Sequence, residues 1–262
     1  MKNNAIKFLY ALDCYLLYLL SGVVSALLLV VYYSVKAAMD YGASVMEFSD
    51  FLEYISSFLT GKSSVVLLIS YALVILTVFV VFAIKKRNVF AYSGMSYASF
   101  GSIFGAATAG IILNILVHIA LPQNTVPDGE TGSLLLACAV LAPIVEEFMF
   151  RGILLKMFAS SCGIGLSVFL TSVLFSVTHG DIITIAYTFV LGIILAVVRV
   201  RSTSLWSSVV LHLAFNITGA VLVFNELNID SAAETVIMMI ALCLFVMLAC
   251  SGGRKAQKIK AR

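Results

Sequence analysis

Long apolar runs alternate with short polar segments along the 262 residues, and the runs are of membrane-crossing length. Eight are predicted as helices, at about 9–34, 64–84, 101–121, 133–156, 162–180, 182–198, 203–224 and 234–250. Each approaches the ~20 apolar residues that a helix needs to cross a bilayer. The pattern predicts an all-α, polytopic integral membrane bundle. The first run extends from about Phe8 to Val35 and carries no A-x-A-like cleavage site, so it reads as a retained membrane helix, not a signal peptide.

Two connecting segments carry patterns of their own. Between the first two runs, Phe48, Phe51, Leu52, Ile55, Phe58 and Leu59 recur at helical spacing against Glu47, Asp50, Glu53 and Ser57. That predicts an amphipathic helix on the outer interface, within about residues 45–59. The stretch 92–100 is polar and aromatic and is expected at the cytoplasmic interface.

Composition removes the soluble alternative. Hydrophobic residues make up 62% of the chain and charged residues only 11%, against about 25% charged in soluble domains. The mean hydropathy is +1.10. Five cysteines lie in apolar stretches without a CxxC, which argues against a disulfide framework or a zinc ribbon.

Charge then orients the bundle. Fourteen of the 16 basic residues, Arg151 and Arg199 among them, are assigned to one side, and 10 of the 13 acids to the other. The positive-inside rule makes the basic side cytoplasmic, with both termini there. The tail RKAQKIKAR reads as a topology anchor near anionic headgroups, so the lipid bilayer and not nucleic acid is the expected partner. The chain divides into helices 1–3 with the outer segment (1–131), a core of helices 4–7 (132–224), and a last helix with its basic tail (225–262).

Asp13, Glu146 and Glu147 remain inside predicted spans. An acid at mid-bilayer costs about 2.5–3.5 kcal/mol on insertion scales, so adjacent acids in LAPIVEEFMFRG call for compensation. Arg151 lies four residues after Glu147, on the same helix face, and is expected to pair with it. Glu146 is rotated about 100° away and points elsewhere. Pro143, just upstream, removes a helix hydrogen bond. His179 closes FSVTH, while His212 and Asn216 share one face of LHLAFN. Counted at about 1.5 Å per residue, Glu146 lies about 15–18 Å from the cytoplasmic end, His212 about 14 Å, Asn216 about 20 Å and His179 about 26 Å. His179 is the outlier. Asp13 and His118 are solitary and are read as structural.

These residues in this order, Glu146-Glu147-x-x-x-Arg151, Phe175-x-x-x-His179 and His212-x-x-x-Asn216, resemble the CAAX protease and bacteriocin-processing (CPBP, or ABI) family. That family includes the type II CAAX prenyl endopeptidases. The stretch LGIILAVVRVRSTSLWSSVVLHLAFN is similar to the family's approach to its third motif, and the likeness covers about Gly132 to Phe224. The resemblance implies peptide-bond hydrolysis within the membrane. Glu146 and His179 would activate a water, His212 and Asn216 would stabilise the oxyanion, and Glu147 with Arg151 would support the site. It also leaves two cofactor readings. Two histidines and a glutamate could form a His₂Glu zinc set. Against zinc, there is no HExxH and Asn216 is a poor ligand, and a metal-free glutamate mechanism uses every motif residue. A non-catalytic membrane regulator or immunity protein is the alternative from another class. A coupled transporter would predict inverted repeats, which are absent. A bacterial origin is expected, with a membrane-associated peptide or protein as substrate.

Overall fold

The computed structural model describes residues 2–41, 49–50, 53, 56, 63–95, 98–121 and 136–224. Among these residues all regular structure is helical. Helix α1 spans Lys2–Tyr41, α2 Ser63–Ile84, α3 Val89–Ser93 and α4 Phe100–Ala120. One continuous helical run, α5 (136–162), changes register along its length. It is π over Leu136–Leu141, α over Ala142–Glu147, π over Phe148–Leu154 and α over Leu155–Cys162. Helix α6 (Ile164–Ser176) ends in a 3₁₀ turn, Val177–His179, and is followed by α7 (Ile182–Ser202) and α8 (Leu205–Phe224).

Seven of the eight predicted runs thus fall on helices, and the eighth, 234–250, lies outside the described residues. Five described helices are long and apolar enough to cross a membrane, within α1, α2, α4, α7 and α8. Their apolar side chains do not all turn inward. Leu16, Val23, Leu27 and Val31 of α1 are exposed, as are Leu76 and Val80 of α2, which is the surface expected of helices facing lipid. The chain is a helical membrane protein. The predicted amphipathic segment 45–59 lies almost wholly outside the described residues.

The interior is organised around α5. Phe150, Leu154 and Phe158 of that run are fully buried, with Phe175 of α6 and Leu205 of α8 in the same cluster. Helices α1 and α2 pack on one side of it, while α4 packs along α8 and α6 along α7. The α4–α8 approach depends on Gly110, because a Cβ there would collide with the Leu211 carbonyl oxygen and lie 2.9 Å from Ala214 Cβ.

Two expectations change. The side assignment of charge counted Arg151 and Arg199 at the cytoplasmic surface, but both are buried. Arg199 donates to the Ser93 carbonyl at 3.1 Å, so its charge serves the packing of α3 on α7 and does not mark a loop. The segment 92–100, expected at the cytoplasmic interface, is described at 92–95 and 98–100. Its first residues close the short α3, where Asn88 Oδ1 caps the Ala91 N–H at 3.0 Å and Ser93 is fully buried. Finally, the depth count misjudged the helix ends. Helix α5 continues to Cys162, so Glu146 lies 16 residues from that end and His179 lies 15 from Ile164. That makes about 24 Å and about 22 Å, and His179 is no longer the outlier. Helix α8 starts below the surface: Ser204 and Leu205 are fully buried, and the Leu205 N–H bonds the Gly94 carbonyl at 3.0 Å.

Candidate active site

Glu146 and Glu147 are adjacent, and the helix sends them to different partners. Glu147 Oε1 accepts from Arg151 Nη1 at 2.7 Å, and both side chains are sealed from solvent. Arg151 Nη2 also donates to the Gly192 carbonyl at 3.0 Å, and its guanidinium lies 4.4 Å over the Phe175 ring. This arrangement offsets the cost of burying the charge from three directions. Glu146 turns instead toward α2, where the Tyr71 hydroxyl donates to its Oε1 at 3.1 Å. The predicted division into one arginine-paired acid and one differently directed acid is present in the structure.

His212 stands between the two carboxylates. Its Nδ1 lies 3.2 Å from Glu147 Oε1, and its Nε2 lies 4.0 Å from Glu146 Oε2. A carboxylate held by arginine only accepts, so Nδ1 carries the hydrogen. The neutral ring then presents an Nε2 lone pair toward the cavity, and it donates from Nε2 only as imidazolium. His179 follows the same rule. Its Nδ1 lies 2.9 Å from the Phe175 carbonyl, so Nδ1–H donates there and the Nε2 lone pair remains available. At 16 residues, Ile164–His179 rises only about 24 Å, short of the ~30 Å hydrocarbon thickness, so His179 sits at a helix end within membrane depth. Gly180 turns the chain there with φ 88, a value glycine reaches without a Cβ clash. Asp181 then caps α7, accepting from the Ile183 and Thr184 N–H groups at 3.0 and 3.1 Å.

Asn216 is placed through a defect in α5. In π register the N–H of residue 143 would donate to the Cys138 carbonyl, but residue 143 is proline. Asn216 Nδ2 supplies a donor to that carbonyl at 3.0 Å. Among the described residues the second hydrogen on Nδ2 has no partner.

Glu146, His179, His212 and Asn216 line one cavity of about 490 Å³. Asp13 is exposed on α1 and His118 belongs to the last turn of α4; neither lines the cavity. Tyr18 and Tyr71 do, and they come from the N-terminal helices that the sequence reading treated as generic. Ser70–Tyr71, which interrupts the apolar run of α2, was the available signal for them. Phe175 connects the parts. Fully buried, it contacts both histidine rings, with centroids 4.6 Å from His179 and 5.6 Å from His212. Among the described residues no three His, Cys, Asp or Glu side chains converge as a metal-holding group.

Comparison with known proteins points to the same part of the chain. An Escherichia coli protein described as an uncharacterized 24.3 kDa protein is 40% identical over 84 residues, 30% of this chain and 39% of that protein. The chain therefore spans about two-fifths of that relative's length. No solved structure matches. The family described as type II CAAX prenyl endopeptidase Rce1-like matches residues 129–218. Over those residues, this helical membrane chain is similar to the type II CAAX prenyl endopeptidase Rce1-like family.

Proposed function

We propose that the protein is an intramembrane endopeptidase of the cell membrane, hydrolysing a peptide bond in a membrane-associated peptide or protein. The observation that carries this reading is the single cavity shared by Glu146, His179, His212 and Asn216, in which Glu146 is the carboxylate not committed to arginine. In this reading Glu146, with the His179 Nε2 lone pair, accepts a proton from a water whose oxygen attacks the scissile carbonyl. The carbonyl oxygen gains the negative charge, which Asn216 Nδ2–H and the imidazolium form of His212 stabilise. The tetrahedral intermediate then collapses: the C–N bond breaks and the leaving nitrogen takes the proton back from Glu146. Glu147, Arg151 and Phe175 position His212 and His179. No metal enters these steps. With both termini on the side that the charge pattern makes cytoplasmic, the cavity lies toward the opposite ends of the helices, lined by Ser70 of α2, His179 after α6 and Tyr187 of α7.

The test is cleavage of a quenched fluorescent membrane peptide by the purified chain in detergent, beside Glu146→Gln, with and without a zinc chelator. General-base loss predicts a fall of about 10²–10⁴-fold in Glu146→Gln and no effect of chelator. Activity lost in chelator and restored by zinc would replace this mechanism with a zinc-dependent one. Equal rates for wild type and variant on a cleaved peptide would remove Glu146 from the chemistry. No cleavage by wild type across a broad peptide panel would favour a non-catalytic regulator.

A further inference from the structure

A second cavity, of about 580 Å³, lies at the basic end of the bundle and shares no lining residue with the first. Its walls come from four elements: Lys7 and Tyr10 of α1, Lys85 and Arg87 after α2, Tyr92 of α3, and Lys156, Met157 and Ser160 of α5. Lys156 is ten residues from Glu146 along α5, or about 15 Å. Four cations face this concavity, and no carboxylate is among its described lining residues.

Two of the cations are held against aromatic rings. Lys156 Nζ donates to the Tyr92 carbonyl at 3.1 Å and lies 4.7 Å from the centre of that ring. Lys85 Nζ lies 5.4 Å from the centre of the Tyr10 ring. Lys85 and Arg87 leave α2 through a fixed turn, in which the Arg87 N–H bonds the Phe82 carbonyl at 2.9 Å and the Lys86 N–H bonds the Ala83 carbonyl at 3.0 Å. Lys86 takes the left-handed conformation that this closure requires, with φ 50. A topology signal needs basic residues on one side of the membrane, but it does not need them to converge on one hollow. Lys86 and Arg201 supply such charge without lining the cavity. Four like charges around one space repel each other until an anion enters, and tyrosine rings with a serine hydroxyl beside them suit a polar, oxygen-rich ligand.

We propose that this cavity binds a phosphate-bearing anion, the chemistry shared by an anionic phospholipid headgroup and free phosphate. The bound anion ties the start of α1 and the end of α2 to α5. It thereby braces the two helices that bring Tyr18 and Tyr71 to the first cavity.

The experiment uses the full chain in a neutral detergent and reads thermal stability while titrating short-chain phosphatidylglycerol, short-chain phosphatidylcholine or sodium phosphate. Lys85→Gln/Arg87→Gln removes two cavity cations, and Lys36→Gln/Arg201→Gln removes two cations elsewhere. We expect a saturable rise in Tm whose half-saturation is about 30-fold weaker in the cavity variant and unchanged in the control. Saturation with phosphatidylglycerol alone identifies a lipid headgroup, and saturation with sodium phosphate as well identifies the phosphate group itself. Equal half-saturation in both double variants, no saturable response in the wild type, or an equal response to phosphatidylcholine would each overturn the proposal. Because the readout is binding, it stands or falls separately from peptidase activity.

Discussion

Removing the Arg151 guanidinium while keeping its bulk, as in Arg151→Met, tests the account of the buried charges most directly. Arg151 and Glu147 are almost completely inaccessible, and their contact is a direct 2.7 Å ion pair. Removing one partner of such a pair leaves a buried charge uncompensated, at a cost of about 3–5 kcal/mol. Glu147 would keep donors in His212 Nδ1 at 3.2 Å and the Ser208 hydroxyl, which favours the lower part of that range. Arg151→Met also loses the hydrogen bond to the Gly192 carbonyl and the contact with Phe175. A second variant, Glu147→Gln/Arg151→Met, removes both charges and keeps an oxygen facing His212. If the stranded charge dominates the single-variant cost, the double variant should be more stable than the sum of its single variants predicts, by about 2 kcal/mol. The assay is denaturant unfolding in detergent of wild type, both single variants and the double, analysed as a cycle. Additive losses would refute the reasoning, because they would mean that the two charges do not depend on each other.

Other outcomes follow from the same geometry. Tyr71→Phe removes one hydrogen bond to Glu146 and should slow peptide cleavage about 10-fold, with thermal stability nearly unchanged; an unchanged rate would remove Tyr71 from the positioning of the carboxylate. Asn216→Ala should lower kcat by about 10²–10³, and should also destabilise the fold by about 1 kcal/mol because the Cys138 carbonyl loses a donor. A fall in kcat of less than tenfold would contradict an oxyanion role. Gly110→Ala should cost about 1–3 kcal/mol, since its Cβ meets the Leu211 carbonyl across the α4–α8 contact. Gly165→Ala, where nothing lies within 4 Å, is the control and should be close to neutral in the same melting experiment.

Much of this protein could be read before any coordinates. The apolar runs alone determined that the chain is a helical membrane bundle, because burying a span in lipid selects long uncharged stretches whatever their neighbours are. The i,i+4 spacing likewise determined that Glu147 pairs with Arg151 and that Glu146 does not, since helix periodicity is a local property. Tertiary structure decided the rest. That Tyr71 reaches Glu146, that Asn216 satisfies a carbonyl lacking a donor because of Pro143, and that Arg199 is buried under α3 are relations between segments distant in sequence. The depth of His179 and His212 was also undecided, because depth depends on where each helix begins within the bundle and not on how many residues it contains. Hydrophobicity along a chain records the solvent around each residue. It does not record which faces of two helices meet, and that choice, made by packing around α5, brings four polar side chains into one cavity.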